Sequence, residues 1–278
     1  MKAVKEKAHA KINLYLDVTG KRADGYHDIL SVMHTVNVYD TVDVSLSDGV
    51  FMTCTDETLS CGEDNLCIKA ARVFFARTGI KGGCRIELNK VLPREAGMAG
   101  GSSDAAAVLR GLNVLYGEPL DLNGLCAAGK SIGADVPFCV VGGSMKTEGI
   151  GDIMSPLPTL PPCCVVVCAG AGKVSTPEAY GQIDRTPAVR TGDYHAFEKA
   201  LRDGDLKGIC QNLYNRFEDV YPECEKNKRL LKENGAVGAL MTGSGSAVFG
   251  IFEDLKTASS AMETITASGV KTFLSEIK

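Results

Sequence analysis

The stretch Pro93-Arg-Glu-Ala-Gly97-Met-Ala-Gly100-Gly101-Ser102-Ser103-Asp104 joins a predicted strand to a predicted helix. The strand alternates apolar residues at Cys84, Ile86 and Leu88, and the helical apolar pattern runs from about Ser103 to Tyr116. Glycines let the backbone turn sharply and point its N–H groups outward, and the start of a helix adds partial positive charge. The stretch therefore predicts a cradle for phosphate groups. Loop chemistry alone fits equally well a tight turn with serine helix caps.

The flanking sequence predicts a mixture of strands and helices. Two further alternating strands begin at Ile12 and Val42, before the strand that contains Cys84. A helix is predicted between the strand at Val42 and the strand at Cys84, with Asp64 as its N-cap and Gly79 after its last turn. After the proline-rich segment come a buried strand at 163–169, helical patterns to about Asn234, strands near 237–242 and 247–252, and a closing helix and strand.

The segment 155–162 contains four of the ten prolines and is the best candidate for a domain boundary. We therefore expect an α+β chain of two domains, 1–155 and 156–278, with a ligand bound in the cleft between them.

Composition excludes several classes of protein. The chain has 278 residues, 45% of them hydrophobic and 23% charged, which is typical of a globular protein. Its net charge of -4 provides no general attraction for nucleic acid or anionic lipid. The longest apolar run, Cys163 to Ala169, is far below the roughly 20 residues of a membrane span. No signal-peptide pattern or CxxC pair is found, so we expect a cytoplasmic protein whose eleven cysteines are buried free thiols and not a zinc site or a disulfide framework.

A second phosphate-binding pattern is a coincidence. Gly124-Leu-Cys-Ala-Ala-Gly129-Lys130-Ser131 matches the Walker A pattern, which requires a buried strand before it. Turn residues precede this match instead, and Leu125, Gly129 and Ile132 fall on one helical face. We predict an amphipathic helix that begins at Asp121.

Phosphoryl transfer to an alcohol requires bound phosphates, a cation near the transferred group and a base near the hydroxyl. Asp135 offers a carboxylate before a buried run, Lys11 lies in the first strand, and His27 follows Gly25-Tyr26. Taken singly, Asp135 is equally a turn cap, Lys11 a solvated strand lysine and His27 a loop residue. Thr242-Gly-Ser-Gly-Ser246 is either a hairpin turn or a second clamp for phosphate.

Together these features resemble the GHMP kinases, which act on galactose, homoserine, mevalonate and phosphomevalonate. The resemblance is carried by Pro93-x3-Gly97-x2-Gly100-Gly101-Ser102-Ser103 and by Gly243-Ser-Gly245-Ser-Ala-Val-Phe249-Gly250. It implies an N-terminal ribosomal-protein-like α/β domain, a C-terminal ferredoxin-like α+β domain, and an active site in the inter-domain cleft. It also implies a cytoplasmic monomer or homodimer that has a small-molecule substrate and no nucleic-acid or membrane partner.

Three stretches narrow the resemblance within the family: Ala10-Lys11-Ile-Asn13-Leu-Tyr-Leu, Lys21-Arg22-Ala-Asp24-Gly25-Tyr26-His27 and Gly133-Ala-Asp135-Val-Pro137-Phe. They are similar to the members that phosphorylate a cytidine-diphosphate-linked methylerythritol in the non-mevalonate isoprenoid pathway. ATP with Mg²⁺ would be the phosphate donor, and the metal ligands stay unknown.

The resemblance also assigns roles to residues. Asp135 is implied as the general base and Lys11 as its partner, and Asn65 as a contact to adenine. Substrate contacts are implied for Asn13, Tyr26, His27, Thr176 and Tyr180. The nucleotide phosphates are expected to contact Pro93, Arg94, Glu95, Ala96, Gly97, Met98, Ala99, Gly100, Gly101, Ser102 and Ser103.

The loop departs from the family pattern at four positions. Arg94 and Glu95 replace small or apolar residues, and Met98 and Ala99 replace the commoner leucine and glycine. Glu95 is expected to point away from the phosphates or to pair with Arg94, because a carboxylate would repel them.

Three alternatives remain at this point. The first is a GHMP kinase for homoserine or mevalonate, which the Tyr26-His27 pair disfavours because those substrates have no base to stack. The second is a non-catalytic nucleotide-binding member, which would be marked by loss of Lys11 or Asp135, and both are present. The third is a P-loop NTPase, which depends entirely on the Walker A match.

Overall fold

A computed structural model describes residues 3–170 and 175–277 of the chain. The described residues cluster in two compact units, each built from several segments. We call residues 3–10, Tyr39–Leu92 and Ala99–Gly142 the first unit, and Lys11–Val38, Pro93–Met98 and the described residues from 143 onward the second unit. These units group residues by packing and not by order along the chain, so the boundary at 155/156 stays a prediction.

Two long strands contribute residues to both units: β1 (Ala3–Lys21) and β2 (His27–Ser47). The other elements of the first unit are β3 (Val50–Cys54), α1 (Leu66–Thr78), β4 (Gly83–Asn89), α2 (Gly100–Leu115), α3 (Leu122–Lys130) and α4 (Val136–Val141).

In the first unit, β4 lies between two strands and pairs with both. It runs antiparallel to residues 41–47 of β2 and parallel to β3. The alternation of Cys84, Ile86 and Leu88 places these side chains in the core, under the apolar faces of α1 and α2. This predicted strand is confirmed, because alternate residues of a strand point to the same face.

Helix boundaries in the first unit correct two predictions. The N-cap of α1 is Asn65 and not Asp64, because the Asn65 side chain accepts from Cys67 N. Helix α2 begins at Gly100, three residues before the predicted start at Ser103, so the end of the glycine-rich stretch is already helical.

Two other expectations about these helices are confirmed. Gly79 ends α1 in the left-handed conformation, with φ 68°. The Asp121 side chain accepts from Gly124 N at the start of α3, so the Walker A match is an ordinary capped helix.

The elements of the second unit, besides its parts of β1 and β2, include a four-stranded antiparallel sheet in the order β11-β7-β10-β9. They are β5 (Ser144–Glu148), β6 (Ile153–Pro156), β7 (Cys163–Cys168), α5 (Thr176–Ile183), α6 (Tyr194–Asp203), α7 (Leu206–Gln211), β8 (Tyr214–Asn215), a short 3-10 helix (Arg216–Asp219), α8 (Cys224–Glu233), β9 (Gly238–Met241), β10 (Val248–Phe252), α9 (Leu255–Ala267) and β11 (Thr272–Ile277).

The predicted strands and helices after the proline-rich segment are confirmed. All six residues of β7 are buried, as expected for a strand covered on both faces. The cysteines in β7 pack as small apolar residues, and six of the eleven free cysteines in the chain are buried.

The sequence did not predict the hairpin formed by β5 and β6. Strand β5 pairs with residues 31–34 of β2 and with β6, which ends at Pro156. Its residues lack the alternation of an amphipathic strand, which explains why it was missed. Among the described residues, no helix is both long and apolar enough to span a membrane.

Candidate active site

The glycine-rich stretch enters α2 at Ala99. Ala99 has φ 57°, a left-handed conformation that is uncommon for a residue with a side chain and explains why glycine is commoner there. No side chain in the described part of the chain caps this helix start. The Ser103 hydroxyl is buried and donates to Gly100 O at 2.9 Å, whereas Ser102 is half-exposed. The amides of the first turn and the Ser102 hydroxyl are therefore the groups here that suit an anion.

Asn65 lies next to this helix start. Its Oδ1 accepts from Cys67 N at 2.8 Å, and its Nδ2 donates to Ser60 O at 2.6 Å. The following residue, Leu66, has a methyl carbon 3.5 Å from where a Cβ on Gly101 would lie. The structure thus brings Asn65 close to the phosphate loop, although its amide already holds α1 in place.

Asp135 approaches the same loop from α4. It is the half-buried N-cap residue of α4, and its side chain makes no capping hydrogen bond. A Cβ built on Gly133 would lie 4.0 Å from Ser102 Oγ, so the turn that carries Asp135 borders the helix start. The alternative of a capping aspartate is therefore not supported, and the carboxylate is not committed to its own helix.

In the second unit, the first half of the glycine-rich stretch lies against the turn between β9 and β10. Gly97 has φ 75°, and a Cβ on it would lie 2.0 Å from Thr242 O. Thr242 Oγ1 donates to Gly97 O at 3.2 Å, and Ala247 N donates to Ala96 O at 3.1 Å. Val248 pairs with Met241, which confirms a hairpin turn at 242–246. Only glycine fits this close approach of two backbones.

Lys11 and Asn13 form a buried pair beside this turn. Lys11 is 3% exposed and Asn13 1%, so Lys11 is not the solvated strand lysine of the alternative interpretation. Lys11 Nζ donates to Asn13 Oδ1 at 2.5 Å, and its backbone N donates to Met98 O at 3.1 Å. Asn13 Oδ1 also accepts from Gly243 N at 2.9 Å, and Asn13 Nδ2 donates to Ser31 Oγ at 2.9 Å. Asn13 therefore holds the lysine, the loop and the hairpin turn in a single network.

His27 and Tyr180 form a stacked pair in the second unit. Their ring centroids are 4.7 Å apart with an interplanar angle of 20°. His27 Nε2 lies 2.7 Å from Asp184 Oδ1, and Lys21 Nζ donates to Asp184 Oδ2 at 2.5 Å. Because a carboxylate accepts hydrogen bonds, Asp184 orients the imidazole with its proton on Nε2. The pKa of Asp184 is lowered by hydrogen bonds from Lys21 and then from His27.

Tyr26, the residue before His27, is 63% exposed. An exposed aromatic side chain is suited to stacking on a flat heterocycle. Asp184 is the residue of this cluster that sequence reasoning missed, because it lies 157 positions from His27 with no motif to mark it.

Thr176, at the start of α5, reaches the same hairpin turn. Its Oγ1 lies 3.1 Å from Ser244 Oγ. Ser244 also lines a cavity of about 250 Å³ together with Glu178 and Tyr221. Thr176 and Tyr180 thus share α5, and their contact with a substrate stays a prediction.

The remaining predicted residues are distributed as follows. Arg94 and Glu95 are exposed, and the pairing expected between them stays a prediction. Met98 is buried, as a leucine in its place would be. Lys11 belongs to the second unit and Asp135 to the first, so their partnership also stays a prediction.

Among the described residues, no group of three or more histidine, cysteine, aspartate or glutamate side chains could hold a metal ion.

Two family descriptions match the chain. "GHMP kinases N terminal domain" matches residues 65–143, and "GHMP kinases C terminal" matches residues 186–271.

Curated relatives match over nearly the full length. The chain is 40% identical to "4-diphosphocytidyl-2-C-methyl-D-erythritol kinase" of Caldicellulosiruptor saccharolyticus, over 98% of this chain and 94% of that protein. It is 44% identical to the kinase of the same name from Exiguobacterium sibiricum, over 89% of this chain and 88% of that protein.

Solved structures agree with the predicted fold class. A crystal structure of 4-(cytidine 5'-diphospho)-2C-methyl-D-erythritol kinase has a TM-score of 0.83 at 33% identity and covers 98% of both chains. Homoserine kinase from Cytophaga hutchinsonii has a TM-score of 0.79 at 19% identity, covers 100% of this chain and 95% of that one, and shows the fold alone.

Proposed function

Because this chain belongs to the GHMP kinase family, we propose that it transfers the γ-phosphate of ATP to the tertiary 2-hydroxyl of 4-diphosphocytidyl-2-C-methyl-D-erythritol. The observation that carries the proposal is the 40% identity to kinases of that name over 98% of the chain. The product would serve the non-mevalonate pathway to isoprenoid precursors.

The aromatic cluster in the second unit supports this substrate. A cytosine ring offers a flat face for stacking, and Tyr26 is an exposed aromatic residue that directly precedes His27 of the stacked His27–Tyr180 pair. Homoserine and mevalonate have no ring. Solved kinases for those substrates are only 19% and 12% identical to this chain.

In the proposed reaction, Asp135 removes the proton of the 2-hydroxyl as the oxygen attacks the γ-phosphorus. One P–O bond forms, the bond to the ADP oxygen breaks, and ADP leaves. The carboxylate suits this role because it makes no capping hydrogen bond at α4. Lys11 would favour the ionised form of Asp135 and offset charge on the transferred group.

The nucleotide would be held by the loop from Pro93 to Ser103, with Asn65 beside the adenine. The uncapped amides at the start of α2 suit close approach by phosphate oxygens. Substrate contacts are proposed for Tyr26, His27, Tyr180, Thr176 and Asn13. Of these, Asn13 would act mainly by holding Lys11, because its side chain is buried and bonded.

Mg²⁺ would enter as part of the MgATP substrate. The described residues offer no cluster of three or more histidine, cysteine or acidic ligands. This composition fits a cation held largely by phosphate oxygens and water, with few protein ligands, which is how Mg²⁺ commonly binds with nucleotides.

We further propose a cytoplasmic location, a monomer or homodimer, and no nucleic-acid partner. The net charge of -4 agrees with the last expectation.

The deciding experiment is a coupled ADP-release assay with three acceptors. The cytidyl-diphosphate alcohol should support turnover, with kcat/KM at least about a hundredfold above homoserine and mevalonate, as expected when a buried polar site lacks its partner. Equal or better turnover of homoserine or mevalonate would overturn the substrate assignment.

A further inference from the structure

A buried cluster of charged groups lies in the first unit, outside the residues assigned above. Lys90 Nζ donates to Asp40 Oδ2 at 2.5 Å and to Asp104 Oδ2 at 2.6 Å. The three side chains are 6%, 0% and 3% exposed. Three charged groups so far from water require a specific reason, because desolvation of each costs several kcal/mol.

The cluster joins the two flanks of the phosphate-binding stretch. Lys90 directly follows β4, and Asp40 Oδ1 accepts from Val91 N at 2.5 Å and from Leu92 N at 2.8 Å. Asp40 therefore holds the backbone that leads into Pro93. The phosphate-binding stretch ends in the first turn of α2, and Asp104 is the fifth residue of that helix. The Lys90 ammonium group thus connects the residues before the stretch to the helix after it.

The charges in this cluster do not balance. Two carboxylates face one ammonium group, and among the described residues the buried Asp104 Oδ1 has no hydrogen-bond partner. Burial raises the pKa of Asp104 to about 7, with a further contribution from the Asp40 carboxylate, although Lys90 acts in the opposite direction. Among the described residues, the other titratable groups that interact with the cluster are the Cys67 thiol of α1 and the Cys54 thiol of β3.

A buried ion cluster is rarely the most stable way to fill a core, because apolar residues of the same size often do so better. It does fix distances between backbone segments, since each hydrogen bond has a preferred length and direction. The distance that this cluster fixes is the one between the two ends of the nucleotide loop.

We propose that Lys90 and Asp104 are positioning residues that hold the phosphate-binding loop in its nucleotide-binding geometry. The inference deepens the proposed function and rests on it for the identity of the nucleotide. These side chains act through the loop backbone and need no contact with the phosphates. Misplacement of a binding group by about 1 Å costs up to about a hundredfold in rate or affinity.

The test compares three substitutions of Asp104 by the Kd of MgADP in calorimetry and by the KM values of both substrates. Asp104→Leu keeps the size of the side chain, removes the acceptor and leaves Lys90 paired with Asp40. We expect it to raise the Kd of MgADP and the KM of ATP by roughly tenfold or more, with the KM of the alcohol within about twofold. The side chain introduced by Asp104→Ser is too short to reach Lys90, so this variant should also raise the Kd of MgADP and the KM of ATP. Asp104→Asn retains a hydrogen-bond acceptor, so its Kd for MgADP should stay within about threefold of the wild-type value.

Asn113→Leu is the matched control, because it makes the same kind of change near the other end of α2. Asn113 is 7% exposed and bonds to the backbone of Leu120. This variant should lower thermal stability and leave the Kd of MgADP unchanged.

The proposal is wrong if Asp104→Leu and Asp104→Ser bind MgADP within about twofold of wild type. It is also wrong if Asn113→Leu weakens binding as much, since the effect would then be general loss of stability. Failure of the proposed function has a different signature. A wild-type protein that binds MgADP but does not phosphorylate the cytidyl alcohol would overturn the substrate and leave the positioning role intact.

Discussion

At the scale of single residues, burial and hydrogen bonding separate functional side chains from structural ones. Asn13 carries a role implied by the family resemblance, yet its amide is fully engaged in a buried network. Asp135 shows the opposite behaviour, because it is the N-cap residue of a helix and makes no capping bond. A polar group without a structural task, next to a phosphate-binding loop, is the better candidate for chemistry.

Asp135→Asn should lower kcat by roughly two to four orders of magnitude, the range expected for loss of a general base. The Kd of MgADP should not change, because the amide has nearly the same size. Asp121→Asn is the control, since asparagine also caps the start of α3 and should leave kcat unaltered. If Asp135→Asn keeps kcat within about tenfold of wild type, the assignment as a base is incorrect.

Asp184→Asn tests the orientation of His27. The variant loses the charged acceptor that bonds to His27 and Lys21, so the KM of the cytidyl alcohol should rise by about tenfold, as for one charge-assisted hydrogen bond. The KM of ATP should be unaffected. Asp203→Asn removes an exposed carboxylate that pairs with Lys199 and should alter neither value. Equal increases in both KM values after Asp184→Asn would contradict a role in the cytosine site.

At the scale of elements, short-range sequence signals predicted where the helices lie better than they predicted which residues those helices contact. The Asp121 cap and the Gly79 terminus lie within the segments that they bound, so the sequence determines them locally. The start of α2 differs, because Ala99 adopts a left-handed conformation for which alanine has no preference. The helix therefore begins at Gly100, where local propensity alone did not place it.

Gly97→Ala should destabilise the protein by about 3 kcal/mol or more, because the new methyl group would overlap Thr242 O at 2.0 Å and force two backbones apart. Gly204→Ala is the control. Gly204 has a similar φ of 68° but open space around its Cβ position, so only the backbone strain of about 1 kcal/mol should appear. Chemical denaturation measures both values, and equal losses would show that the contact with the hairpin turn is unimportant.

At the scale of the whole molecule, two buried groups shift stability with pH in opposite directions. Burial lowers the pKa of His34 to about 4, below its unfolded value, so this residue destabilises the fold as pH falls from about 6.5 to 4. Asp104 has a folded pKa of about 7, above its unfolded value, mainly because of burial. The stabilisation that this raised pKa gives to the folded state is fully present below about pH 4 and is lost as the pH rises to about 7.

Asp104→Asn should therefore change the shape of the pH–stability profile. The free energy of unfolding of the variant minus that of wild type should increase between about pH 4 and 7, because in that range Asp104 is ionised in the unfolded wild-type chain but still protonated in the folded one, whereas asparagine does not titrate. The difference should stay level above pH 7, where Asp104 is ionised in both states. Urea denaturation at a series of pH values measures this difference. A difference independent of pH would mean that Asp104 is ionised throughout that range.

Some conclusions needed only the order of the residues. Local sequence was enough to identify the Asp121 cap, the end of α1 at Gly79, the all-apolar strand β7, the coincidental Walker A match and the family, since each depends on neighbours along the chain or on short motifs.

Three other facts required the folded chain: Lys11 is buried, Asp184 bonds to His27, and Lys90 connects Asp40 to Asp104. These partners are separated by as many as 157 positions, and nothing in local propensity specifies which distant side chains meet. Burial and hydrogen bonding depend on the packed arrangement of all the elements, so the environment of a charged group becomes known only when the chain is folded.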